Sequence, residues 1–239
     1  MVERLHGMEE VASSNLVGST NKLQPRWLFF CYNMFMIKVI IFDCNGVFTT
    51  NSLAENLDVF SKVFGFDRKK LEPEYIRLSN MAIMGRMTSL EVCQKLIEKF
   101  GMQTSAEEIK KVWVGTFVGA PDIDTYKYAL ELSREYRLCL FSNYSDIFDE
   151  ISKKLKLDDL FSSKMIFISS GISLMKPDKR AFSYVLNKIG CQPEEVIFID
   201  DQENNIEQAL SMGITSILFK DTNQLKIEMA KLEKTVPLT

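Results

Sequence analysis

With 239 residues the chain is long enough for one α/β core and a small accessory domain. Its 29 basic and 32 acidic residues leave a net charge of −3, which argues against the basic stripe of a general nucleic-acid binder. The only histidine is His6, so Ser-His-Asp and Cys-His hydrolysis and histidine-rich zinc sites are excluded, leaving carboxylates, lysine, hydroxyls and a hard cation.

Residues 1–26 mix Gly, Ser, Asn and charge without periodicity and are expected to be disordered. Within them VASSNLVGST resembles the in-frame translation of a transfer-RNA T-arm. This places the expected start at Met34 or Met36 and makes 1–35 a tail outside the fold. The apolar stretch Trp27–Phe42 is interrupted by Asn33 and Lys38 and falls short of the ~20 apolar residues of a spanning helix. No small-residue cleavage site follows it, so neither a signal peptide nor a membrane anchor is expected.

KVIIFD is a continuous apolar run ending in a carboxylate, the pattern of a strand buried on both faces, and Asn45-Gly46 breaks it with a turn. Helical spacing then recurs in LDVFSKVF, SLEVCQKLIEKF and AEEIKKVWVGTF. Ser105 and Glu108 form a capping-box pattern, and Gly101 suits the end of the preceding helix. No strand alternation interrupts residues 51–120, so they read as a separate helical cap, with Pro121 marking the return. Beyond it, helices at about 122–135, 146–155, 178–189 and 203–212 alternate with the strands RLCLFS, MIFIS, EVIFID and TSILF. The expected fold is therefore α/β: a doubly wound, Rossmann-like parallel sheet from 36–50 and 121–239 with an inserted α-helical cap. The five cysteines (Cys31, Cys44, Cys93, Cys139 and Cys191) have no CxxC spacing and read as reduced thiols of a cytoplasmic protein.

Ligands of open parallel sheets bind at the carboxyl ends of the strands. Those ends carry Asp43, Ser142-Asn143 and Asp200-Asp201, and Lys176 lies in the loop closed by Pro177. Singly, such residues are helix caps or solvated surface groups; together they gather carboxylates, a hydroxyl, an amide and an ammonium at one edge.

In these strings FDCNGV resembles the first motif of the haloacid dehalogenase superfamily, in which a strand ends in Asp-x-Asp-Gly-(Thr/Val). FSN resembles its second motif, GISLMKPD its third and FIDDQENNIEQALSMG its fourth, in order from Lys38 to Lys220. The helical insertion is similar to the cap of the helical-lid subfamily, and GRMTSLEV to the turn that begins a cap helix there. The resemblance implies a hydrolase with Asp43 as covalent nucleophile, forming an aspartyl-phosphate. It implies Mg²⁺ held by Asp43, the carbonyl of Asn45 and the Asp200-Asp201 pair, with Asp201 the direct ligand and Asn205 in support. Lys176 is implied to counter negative charge, and Ser142 and Asn143 to bind the phosphoryl group of a small phosphorylated metabolite. On the cap, Arg86 is the candidate for a second anionic group on the substrate, while Met84 and Met87 read as packing residues.

The sequence departs from the motif at Asn45, where the family's phosphatases place the acid/base aspartate. An amide donates hydrogen bonds but transfers no proton, and losing a positioned acid/base costs about 10²- to 10⁴-fold. Three readings follow: a phosphatase for esters with good leaving groups, a phospho-ligand-binding protein without turnover, and a metal-free dehalogenase. Oligomeric state is not legible in the chain.

Overall fold

Strands β1 (Val39–Phe42), β2 (Arg137–Ser142), β3 (Ile166–Ile168), β4 (Val196–Asp200) and β5 (Thr215–Leu218) pair in parallel in the order β3-β2-β1-β4-β5. They form the centre of the computed structural model, which describes residues 37–235; the expectations for residues 1–35 and for a start at Met34 or Met36 fall outside these. All five strands coincide with apolar runs of the sequence. The MIFIS run is shortened because Ser169 leaves the strand to begin a helical turn.

Between β1 and β2 lie α1 (Leu53–Phe64), α2 (Arg68–Ile83), α3 (Ser89–Phe100), α4 (Ala106–Val118) and α5 (Ile123–Leu132). Then come α6 (Phe148–Leu155), the single turn α7 (Ser169–Ile172), α8 (Lys179–Ile189), α9 (Glu203–Ser211) and α10 (Thr222–Thr235). The expected capping box at Ser105/Glu108 is present, and two more, Ser52/Glu55 and Thr88/Glu91, start α1 and α3. Each cap of this kind is worth about 1 kcal/mol. Gly101 closes α3 in the left-handed conformation, φ 64°.

Successive side chains of a strand face opposite ways, and here both faces are buried. Val39, Ile41, Phe141 and Phe198 join Phe182 and Val185 of α8 and Ala209 of α9. On the other face Ile40, Phe42, Leu140 and Ile199 pack with Ile151 of α6 and Leu225 of α10. That second cluster continues without a break into Leu57, Leu78 and Trp113, so the helical insertion rests on the same core as the sheet.

Hydrogen bonds close the seam between insertion and sheet domain. The Ser89 amide and hydroxyl donate to Asp146 at 2.7 and 2.9 Å, and the Ser169 hydroxyl donates to the Ile83 carbonyl at 2.7 Å. Gly85 (φ 69°) lies so near Ser170 that a Cβ there would sit 2.4 Å from its carbonyl oxygen. Among the described residues no helix is long and apolar enough to cross a membrane.

Candidate active site

β1 is the middle strand, and Phe42 pairs with Leu140 of β2 on one side and Ile199 of β4 on the other. This register sets Asp43 level with Asp200, with Ser142 one residue further along β2. The Ser142 hydroxyl donates to Asp43 Oδ1 at 2.6 Å. Lys176, only 2% exposed, donates from Nζ to Asp43 Oδ1 at 2.8 Å and to Asp200 Oδ2 at 2.6 Å. Its ammonium also lies 5.3 Å from the ring centroids of Phe141 and Phe198, which wall it off from water.

Asp200 is fully buried and held by three donors: the Gln202 amide at 2.8 Å, Asn205 Nδ2 at 3.0 Å and Lys176. Asp201 is half-buried and faces the turn after β1. A Cβ on Gly46 would fall 2.2 Å from Asp201 Oδ2, and Gly46 has φ 82°. Only glycine lets this turn approach the β4 carboxylate so closely.

Burial pushes the Asp43 carboxyl up to about 6, reinforced by Asp200, while Lys176 and the Ser142 hydrogen bond pull it back. Burial likewise raises Asp201. For Lys176, burial acts to lower the ammonium, but Asp43 and Asp200 outweigh it and the group is raised. Oxygens of Asp43, Asp200 and Asp201 lie within 4.8 Å of one another, and the Lys176 ammonium pairs with only the first two. The excess of negative charge, the all-oxygen donor set and the close approach at Gly46 fit a hard divalent cation.

Replacing Lys176 with methionine leaves Asp43 and Asp200 buried without a counter-ion. Breaking a buried pair in this way costs roughly 3–5 kcal/mol. We expect a loss of that size in urea unfolding of the metal-free protein at pH 8, recovered in part by a divalent cation.

Six of the residues singled out from the sequence thus meet in one place: Asp43, Ser142, Lys176, Asp200, Asp201 and Asn205. Asn45 sits beside them, its Oδ1 accepting from the Thr49 hydroxyl at 3.0 Å. Asn143 has a partner the sequence did not suggest. Its amide brackets the Lys176 main chain, accepting from the Lys176 N–H and donating to its carbonyl, both at 2.9 Å. Arg86 is exposed and borders a separate depression with Thr88, Glu91, Asp146 and Ser170.

The cavity that adjoins Asn45 and Asn143 instead runs beneath α2 and α4 and has a volume of about 230 Å³. Ser79, Trp113, Tyr144 and Ser145 line it, none of them anticipated. Tyr144-Ser145 directly follows the FSN string, a signal that was available; Trp113 lies on an apolar helical stripe and reads as core.

Residues 37–213 match the haloacid dehalogenase-like hydrolase family. The chain is 25% identical over 186 residues to a D-ribitol-5-phosphate phosphatase of Bacteroides thetaiotaomicron, covering 74% of this chain and 89% of that protein. A HAD family enzyme of the same bacterium, solved with magnesium and inorganic phosphate, superposes with a TM-score of 0.66. It shares 28% identity over 77% of this chain and 95% of its own. A drimenol cyclase of Aspergillus calidoustus is 34% identical over 77 residues, 32% of this chain, a match spanning only 15% of that protein's length.

Proposed function

The chain belongs to the haloacid dehalogenase-like hydrolase family, and we propose that it is a Mg²⁺-dependent phosphatase of small phosphorylated metabolites, working through an aspartyl-phosphate on Asp43. The observation that carries this reading is the Lys176 ammonium held between Asp43 and Asp200, with Asp201 completing a carboxylate cluster that suits a cation. Asp43, the Asn45 carbonyl and Asp201 would hold Mg²⁺, with Asp200 and Asn205 fixing the geometry around them. The bound ion supplies positive charge that reduces repulsion between carboxylate and phosphate.

In this reading the Asp43 carboxylate attacks phosphorus and the bond to the leaving oxygen breaks. Lys176 and the Ser142 hydroxyl stabilise the charge on the phosphoryl oxygens, and Asn143 contributes by fixing the main chain of Lys176. The leaving oxygen draws its proton from solvent because Asn45 has none to transfer, which favours sugar 1-phosphates, acyl phosphates and aryl phosphates. Water then hydrolyses the aspartyl-phosphate and releases inorganic phosphate.

Asn45 also favours a second reading, a phosphate-holding protein with negligible turnover. Trapping a phosphorylated Asp43 by rapid acid quench distinguishes the two. The carboxylate cluster speaks against a metal-free dehalogenase. Cys44, Cys93, Cys139 and Cys191 are buried and free, which supports a reducing, cytoplasmic setting.

Slow hydrolysis of p-nitrophenyl phosphate is expected with Mg²⁺, lost in EDTA and restored when Mg²⁺ is returned in excess. Hydrolysis unaffected by exhaustive chelation sinks the metal assignment.

A further inference from the structure

β2 ends at Ser142, and residues 142–146 are tied down on two sides. Toward the site, the Ser142 hydroxyl donates to Asp43 and the Asn143 amide grips the Lys176 main chain. Toward the helical insertion, the Tyr144 carbonyl accepts at 3.2 Å from the amide of Ser170, the residue that lies against Gly85. Asp146 ends the segment with both carboxylate oxygens on Ser89, the first residue of α3.

The start of α3 does not depend on this contact for its own capping. It already has the Thr88/Glu91 capping box, in which Thr88 accepts from the Glu91 amide and Glu91 reaches back to the Thr88 amide. The helix that lacks a cap is α6. Ile147 stands at its N-cap position with no side-chain bond, although aspartate, among the best capping residues, immediately precedes it. Asp146 gives its carboxylate to α3 instead, across 57 positions of sequence. The bond is favourable on two counts: it satisfies a first-turn amide that has no partner within the helix, and its charge meets the positive helix end. Ser89 is fully buried, so its hydroxyl has no water to turn to once the carboxylate is gone. Further along, Glu150 of α6 pairs with Lys110 of α4, a second carboxylate of this region that reaches the insertion.

We propose that Asp146 is a positioning residue for the reaction. By seating the α3 amino terminus on residues 142–146, it holds Ser142 and Asn143, and through Asn143 the Lys176 main chain, in the geometry that serves Asp43. The effect on turnover rests on the phosphatase reading, whereas the effect on the Lys176 main chain does not.

Amide exchange in the metal-free protein, followed residue by residue by NMR, reads this coupling without turnover. In Asp146→Ala the Ser89 amide loses its acceptor. The Lys176 amide, which donates to Asn143 Oδ1 at 2.9 Å, is then expected to exchange about tenfold faster, the factor that one hydrogen bond to a charged group is worth. Amides in the middle of β4 should keep the parent rate. Asp146→Asn keeps an oxygen for the Ser89 amide and should bring Lys176 exchange back to within about threefold of the parent. With p-nitrophenyl phosphate and Mg²⁺, Asp146→Ala should lower kcat by about tenfold while KM changes by less than about twofold, and Asp146→Asn should recover most of the loss. Faster exchange at Ser89 with Lys176 unchanged makes Asp146 a local clamp on α3 and overturns the proposal. So does equal acceleration at Lys176 and in β4, which marks a general loss of stability, and so does an unchanged kcat in Asp146→Ala when the parent turns over. If exchange behaves as expected but the parent hydrolyses no ester, the coupling of Asp146 to Lys176 stands and the phosphatase reading falls.

Discussion

Asn45→Asp is expected to raise kcat toward alkyl phosphates by about 10²-fold or more, with a smaller gain toward p-nitrophenyl phosphate. The position is already built to take the carboxylate. Asn45 Oδ1 accepts from the Thr49 hydroxyl at 3.0 Å, a bond an aspartate oxygen keeps, so the substitution exchanges Nδ2 for an ionisable oxygen without moving the side chain. An alkoxide leaving group needs a proton as the P–O bond breaks, whereas a nitrophenolate leaves as the anion, and the gain should follow that difference. A Brønsted plot of log kcat against leaving-group pKa, for parent and variant, is the direct measurement. The parent line should be steep and the variant line shallow. Parallel lines, or lower activity in the variant, would show that the amide is not what limits the reaction.

How much of this was legible in the chain depends on what kind of signal each residue leaves. The five strands announce themselves because both faces of a parallel sheet are buried, which makes near-continuous apolar runs such as VIIF and VIFID. The carboxylates were equally visible, since an aspartate closing such a run has no packing reason to be there. Asn143 was seen but read differently. Its amide was expected to contact the phosphate, and each of its polar atoms also makes a hydrogen bond to the Lys176 main chain, a long-range pairing that spacing cannot reveal. The two capping boxes at Ser52 and Thr88 follow the same S/T-x-x-E pattern recognised at Ser105 and were readable. The cavity was not. Trp113 and Ser79 occupy the inward stripes of α4 and α2, where an apolar ring or a small hydroxyl satisfies helical periodicity, and only the packed structure shows that their polar atoms lack partners.

The opposite result is expected at Asp43. Asp43→Asn should abolish turnover, lowering kcat by at least about 10³-fold, because an amide is no nucleophile toward phosphorus and the remaining groups only position and neutralise. The same substitution should stabilise the metal-free protein. Burial holds the Asp43 carboxyl near 6 when folded, above its ordinary value of 3.8, so the native state binds more protons than the unfolded chain between those two values. Stability therefore falls as pH rises from about 4 to 6, and above that range the full cost of an ionised, buried Asp43 beside Asp200 is present. An asparagine keeps an oxygen to accept from Ser142 and Lys176 but carries no charge, and Lys176 is left to balance Asp200 alone. In EDTA at pH 7.5 the variant should melt above the parent, and the decline in stability from pH 4 to 6 should flatten. Added Mg²⁺ should reverse the order, raising the parent more than the variant, since a ligand that binds only the native state stabilises in proportion to its affinity. A variant that melts below the parent in EDTA would mean that the Lys176 and Ser142 contacts to the carboxylate outweigh its burial, and that the cluster is not strained toward a cation.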